Sequence, residues 1–207
     1  MLCKLQTENP AGRSYSSGSV VAFTCTERHC GILPLSAKNY WVYEDSIFSD
    51  GVFLKVQFDT LRFSSTKKSM TDGLIWWEGN ISIGLPTTLY ANESTFFSLS
   101  DRMFTSDIKD ARKEFSIPSG DSAKYLTSFE DAAAFGRSVK LQTSIKTPAG
   151  VFKNCILFEK NAPYFRKDQV FIKPGIGVVK YIQEKAVPGQ RSIKLQQISS
   201  LVKIHIE

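Results

Sequence analysis

From Thr147 to Ile206 the chain repeats one device, a turn bearing proline or glycine that feeds a strand of alternating polarity. Thr147-Pro148-Ala149-Gly150 leads into Val151-Phe152-Lys153-Asn154-Cys155-Ile156, and Lys173-Pro174-Gly175 leads into Ile176-Gly177-Val178-Val179-Lys180-Tyr181. A period of two buries one face of a sheet and wets the other, so this third of the chain is antiparallel sheet. Any site must then be sought on the surface of that sheet rather than in a local motif. Pro188-Gly189 closes a further hairpin onto residues 191–206, whose alternation changes phase near Ser199-Ser200, which predicts a bulge or bend.

The same pattern extends upstream. Residues 39–46 form an aromatic strand, Ser49-Asp50-Gly51 reverses the chain, and Val52, Leu54, Val56 and Phe58 alternate with Phe53, Lys55, Gln57 and Asp59, which reads as a hairpin with one buried face. A polar loop is expected over 64–72, a strand over 74–83, and short strands over 87–90, 95–99 and 114–117. Ser128 can cap a short helix over 129–135, with Glu130 and Asp131 in its first turn and Gly136 at its end. Strands are expected over 139–145, 151–160, 169–173 and 177–184. Long sheets that are apolar on one face curl. The fold class is therefore mostly β: a curved antiparallel meander forming a half-barrel or open barrel, with one short helix packed on it.

Residues 1–19 read as a flexible N-terminal tether and 20–207 as a single β-rich domain. With 207 residues, 42% hydrophobic and 12% aromatic, the chain can fill a core. The formal charge of +6 is spread over alternate strand positions such as Lys140, Lys146, Lys153, Lys180 and Lys194, the pattern of a solvated face. That dispersion argues against nucleic acid, although Tyr164-Phe165-Arg166-Lys167 and Trp76-Trp77 interleave aromatic and basic groups as a base-stacking sheet would. No apolar run approaches the ~20 residues that cross a bilayer, so a soluble domain without a signal peptide is expected.

Four cysteines are present, Cys3, Cys25, Cys30 and Cys155. Met1-Leu2-Cys3 before a polar leash reads two ways, as an acylated lipoprotein cysteine or as an ordinary thiol near a plain start. For Cys25 and Cys30 a local disulfide is simpler than a zinc site, because His29 lies directly beside Cys30 and no second close pair exists. Cys155 alternates with strand residues and reads as a small buried hydrophobe. Neither His29 nor His205 lies in a nucleophile motif. Asp45, Asp59, Glu78 and Glu159 are scattered, so an enzyme would need carboxylates assembled in space. No glycine loop or ligand spacing calls for a cofactor or a metal. Strand alternation sends Trp76 and Trp77 to opposite faces, leaving one of them for structural cover or for a binding surface.

Leu33-Pro34-Leu35-Ser36-Ala37-Lys38-Asn39-Tyr40-Trp41-Val42-Tyr43 resembles the opening motif of a family of bacterial extracytoplasmic lipoproteins. The two turn-and-strand segments at 147–156 and 173–181 resemble that family's C-terminal signatures, in the same order. Lys38 departs from it, standing where a glycine is usual, and the Cys25 to Cys30 loop is an addition. The resemblance implies an envelope protein, lipid-anchored through Cys3, facing the periplasm or exterior and similar in shape to lipoprotein-carrier half-barrels. It carries over no catalytic residue. The family's function is poorly defined. Together with the tryptophan that alternation leaves outside the core, the resemblance leads to an expectation of binding a hydrophobic or lipid-like ligand, or another envelope protein, through the curved sheet. Trp76, Trp77, Tyr164 and Phe165, taken from the strand pattern, are the ligand-binding candidates. The alternatives are a hydrolase with a site built from dispersed carboxylates, and a basic nucleic-acid-binding sheet.

Overall fold

The computed structural model describes residues 32–92, 94–99 and 108–207, and period-two alternation runs through nearly all of them. Their strands are β1 (Tyr40–Ser49), β2 (Val52–Lys68), β3 (Ile75–Gly79), β4 (Thr88–Ala91), β5 (Thr95–Ser98), β6 (Arg112–Ser116) and β7 (Ser122–Phe129). They continue with β8 (Ala132–Lys140), β9 (Ile145–Thr147), β10 (Gly150–Phe152), β11 (Ile156–Ala162), β12 (Arg166–Lys173), β13 (Gly177–Ala186) and β14 (Ile193–His205). Twelve of these form one sheet in the order β6-β5-β4-β3-β2-β1-β14-β13-β12-β11-β8-β7, while β9 and β10 make a separate hairpin. The end strands β6 and β7 follow each other in the chain and meet without a ladder; the Thr127 hydroxyl donates to the Lys113 carbonyl across the gap at 2.7 Å. The sheet is a nearly closed antiparallel barrel with a single seam.

The expected helix is a β-hairpin instead. Ala134, Gly136 and Ser138 are buried while Ala133, Phe135 and Arg137 are exposed, a strand period that three consecutive alanines conceal. Gly136 is no helix cap: the Tyr125 ring across the ladder lies where its Cβ would be, 2.1 Å away, so only glycine seats that ring. The sole helical element among the described residues is a 3-10 turn, Ile108–Asp110. The expected loop over 64–72 is strand as far as Lys68, because Ser65 to Lys68 pair with β3. Residues 139–145 and 151–160 are both interrupted. Asn154 takes a left-handed φ of 55°, which turns the chain at Cys155 between β10 and β11. The phase change in β14 is a bulge at Val202, since Val42 faces Lys203 and Tyr43 faces Leu201.

The inner face is dry and aromatic over most of its length. Trp41 donates its indole N–H to the Ile176 carbonyl at 2.6 Å and Tyr43 its hydroxyl to the Val178 carbonyl at 2.8 Å, which ties β1 across β14 to the start of β13. Phe96, Phe115 and Phe158 from β5, β6 and β11 pack together beside the seam, Phe96 edge-on to the other two rings. The strand expected over 74–83 stops at Gly79, and the following segment turns into the barrel, where Ile83 and Leu85 are buried in the main core. Gly84 makes this possible. Its φ of +67° is left-handed, and a Cβ there would lie 2.5 Å from Val170 and 2.7 Å from Tyr181. Over this stretch the inner face is filled by the protein's own side chains.

Candidate functional site

A row of polar side chains crosses the inner face at one end of this core, and strand register places it there. Asp45 of β1 faces Ser199 of β14, Gln197 of β14 faces Gln183 of β13, Gln183 faces Asp168 of β12, and Asp168 faces Lys160 of β11. Neighbouring positions complete the network. Gln197 donates to Ser199 at 2.9 Å, Gln183 and Arg166 donate to the Tyr181 hydroxyl, and the Arg166 guanidinium grips both oxygens of Asp168 at 2.8 and 2.6 Å. Buried polar groups are costly unless bonded, so a belt of this kind persists only by mutual pairing.

The belt ends at the seam in a buried ion cluster. Lys160 on β11 donates to Glu114 on β6 and to the Ser128 carbonyl on β7, and its ammonium lies 4.6 Å from the Phe129 ring centre. Glu114 also accepts from Arg112 at 2.6 Å and from Ser98. Burial alone would raise the Glu114 carboxyl, but Lys160 and Arg112 outweigh it and hold the carboxyl below its ordinary value. One carboxylate serves two cations, so burial wins at Lys160 and pushes its ammonium down despite Glu114. At Arg166 burial acts downward too, yet Asp168 holds the guanidinium above its usual value.

A cavity of about 270 Å³ opens beside these groups. The inward segment supplies one wall through Gly84, Leu85 and Pro86, and Phe129 and Phe165 supply another, their rings 6.1 Å apart. Arg112, Glu114, Lys160, Arg166 and Asp168 form its charged side, and the exposed carboxylates Glu130 and Asp131 stand at its mouth.

At the other end of the belt Asp45 is fully enclosed, with neither carboxylate oxygen hydrogen-bonded. Burial raises its carboxyl to about 6, Asp59 on β2 adds to the rise, and Ser199 and Gln197 oppose it. The folded value lies above the unfolded one, so ionised Asp45 costs stability at neutral pH. That cost is absent below the unfolded value of 3.8 and complete once pH has risen through about 6. Asp45→Asn is therefore expected to stabilise the protein by roughly 2 kcal/mol near neutral pH and by almost nothing below about pH 4. Chemical denaturation at the two pH values checks this; an equal effect at both would show that Asp45 is not the titrating group.

Asp45 and Asp59, scattered in sequence, do meet in space, whereas Glu78 pairs with Lys67 and Glu159 with Lys167. Of the aromatic candidates, Trp76 has no exposed surface and tilts against Tyr90, while Trp77 is half-buried against the main core. Tyr164 is 70% exposed at the left-handed turn between β11 and β12, and only Phe165 reaches the cavity. Cys155 is enclosed, and burial pushes its thiol up to about 11. Cys3, Cys25 and Cys30 lie outside the described residues. Among those described, no three His, Cys, Asp or Glu side chains converge as metal ligands. Glu114, Lys160 and Asp168 were missed as site residues, yet a signal exists. Arg112-Lys113-Glu114 and Arg166-Lys167-Asp168 share one spacing, and on a strand it puts the arginine and the acid on the same face.

No protein-family model and no curated protein matches the chain. Among solved structures, the chain is similar to a provisionally assigned lipoprotein from Parabacteroides distasonis ATCC 8503, at 14% identity and a TM-score of 0.39, over 84% of this chain and 98% of that one. It is also similar to a provisionally assigned exported protein with a YmcC-like fold from Bacteroides fragilis NCTC 9343, at 13% identity and a TM-score of 0.38, over 84% of this chain and 99% of that one.

Proposed function

We propose that this is a non-catalytic, envelope-located module that binds another protein along the open edge of β2. The observation that carries the reading is an apolar strand left uncovered: Val52, Phe53, Leu54, Val56 and Phe58 are 46–67% exposed. Soluble domains seldom leave such a contiguous patch unless something docks on it.

The edge itself is available. β2 pairs with β1 from Val52 to Arg62, but with β3 only from Phe63 onward. Asn80 marks the end of the cover, since its side chain and backbone take up the outward-pointing groups of Thr60 and Arg62. Backbone groups alternate in direction along a strand, so those of Phe58 and Val56 point the same way, toward an edge with no strand beside it among the described residues. Leu54 is the bulged residue that ends this phase. An extended partner segment can add there as a further strand, gaining main-chain hydrogen bonds beside an apolar row. Envelope location and an anchor at Cys3 are supported by the resemblance of residues 33–43, 147–156 and 173–181.

The test places a photoreactive benzoylphenylalanine at Phe58 and, as a control, at Phe135, which is 65% exposed on β8. In cells of the native host, position 58 is expected to give one discrete heteromeric adduct that Val56→Lys abolishes, and position 135 none. With the captured partner purified, Phe58→Ala should weaken binding about thirtyfold, the ~2 kcal/mol of an aromatic anchor. No adduct at position 58, or only an adduct between two copies of this chain, overturns the proposal.

A further inference from the structure

We infer that the cavity at the seam is a binding site for a small zwitterion of the α-amino acid type. The carboxylates on its buried side are spent. Glu114 is fully engaged by Lys160, Arg112 and Ser98, and Asp168 by the fork of Arg166. The guanidiniums are not. Arg112 uses only Nε, and Arg166 only Nε and Nη2, so donors remain on both that no described residue accepts from.

Unspent guanidinium donors in a confined space select a carboxylate, which they can bind through paired N–H groups. A purely anionic ligand meets an opposing field, because four carboxylates (Glu114, Glu130, Asp131, Asp168) line the cavity against three cations (Arg112, Lys160, Arg166). A ligand that carries its own ammonium resolves this by turning the carboxylate inward and the ammonium toward exposed Glu130 and Asp131. Phe129, Phe165, Leu85 and Pro86 offer apolar contact to a side chain. The cavity of about 270 Å³ falls just below the usual range of small-molecule pockets, which sets the size at a single residue.

Calorimetric titration of the full chain tests this with L-phenylalanine and L-leucine, each beside its deaminated acid and its decarboxylated amine. At least one amino acid is expected to bind, about tenfold or more tighter than either of its analogues. The rim double variant Glu130→Gln, Asp131→Asn should weaken that binding about tenfold and strengthen binding of the acid, since it removes the two mouth charges and no buried contact. Arg166→Lys, which keeps the charge but loses the fork, should weaken both amino acid and acid. If no probe binds, if acid or amine binds as tightly as the amino acid, or if the rim variant changes nothing, the inference fails. Loss of this site would leave partner docking at β2 untouched, because the two lie on different elements.

Discussion

Glu114→Gln is expected to cost about 3–5 kcal/mol of stability, the scale for stranding a buried charge, because Lys160 would keep its ammonium in the interior without a carboxylate. The Ser128 carbonyl and the Phe129 ring remain, but neither neutralises it, and Asp168 opposite is already taken by the Arg166 fork. Adding Lys160→Met should recover most of the loss. The flexible apolar side chain fills the vacated volume, and Arg112, partly exposed, can turn to water. The double-mutant cycle in chemical denaturation gives the coupling; a double variant as unstable as the sum of the singles would sink the ion-pair account. The pH dependence has the opposite sign to that at Asp45. Glu114 is held below its ordinary value, so its contribution is fully present above about 4.5 and is lost as pH falls through the folded value. Wild type and Glu114→Gln should therefore converge in acid. This pair carries unusual weight because β6 and β7 share no ladder. Lys160 reaches from β11 to both of them and does with one ammonium what backbone pairing does elsewhere in the sheet.

Gly84→Ala is the second large effect, about 3 kcal/mol. Roughly 1–2 kcal/mol comes from the left-handed backbone and the remainder from overlap with Val170 and Tyr181. For a domain of this size that lowers the melting temperature by about 10 °C. Both obstructing groups belong to the barrel wall, so the inward segment must lift, and the cavity wall formed by Leu85 and Pro86 lifts with it. Tyr181 fluorescence quenching and the amino-acid titration should change together with stability. Gly120→Ala, where nothing lies within 4 Å of the added carbon, should be nearly silent. A melting temperature unchanged in Gly84→Ala would mean that the segment does not plug the barrel.

The sheet was legible because its signal is local: turn residues at Asp50-Gly51, Pro148-Ala149-Gly150 and Pro174-Gly175 punctuate clean alternation. The 129–135 segment misled because Ala132-Ala133-Ala134 is neutral to both periods, and the deciding contact, Tyr125 on Gly136, comes from another strand. Trp76 and Trp77 drew notice as large aromatics, yet their burial depends on neighbours such as Tyr90 and Leu89 on the next strand, which alternation within β3 does not reveal. The belt was invisible for the same reason. Asp45, Gln183, Asp168 and Lys160 look like ordinary solvent-facing positions until register lines them up on the inner face.

The order of strands has a consequence for how the molecule comes into being. β1 and β14 lie side by side in the middle of the sheet, although among the described residues they are the first and last of its strands in sequence. One wing, β1 to β6, and the other, β7 to β13, can each zip through local hairpins as the chain emerges. Neither wing is continuous with the other until β14 slots between β1 and β13. Contacts that span so much chain are slow to form, so assembly belongs to the millisecond-to-second class of high contact-order β proteins. During synthesis two open edges, on β1 and β13, await the same strand, and a chaperone that shields strand edges would matter most in that interval.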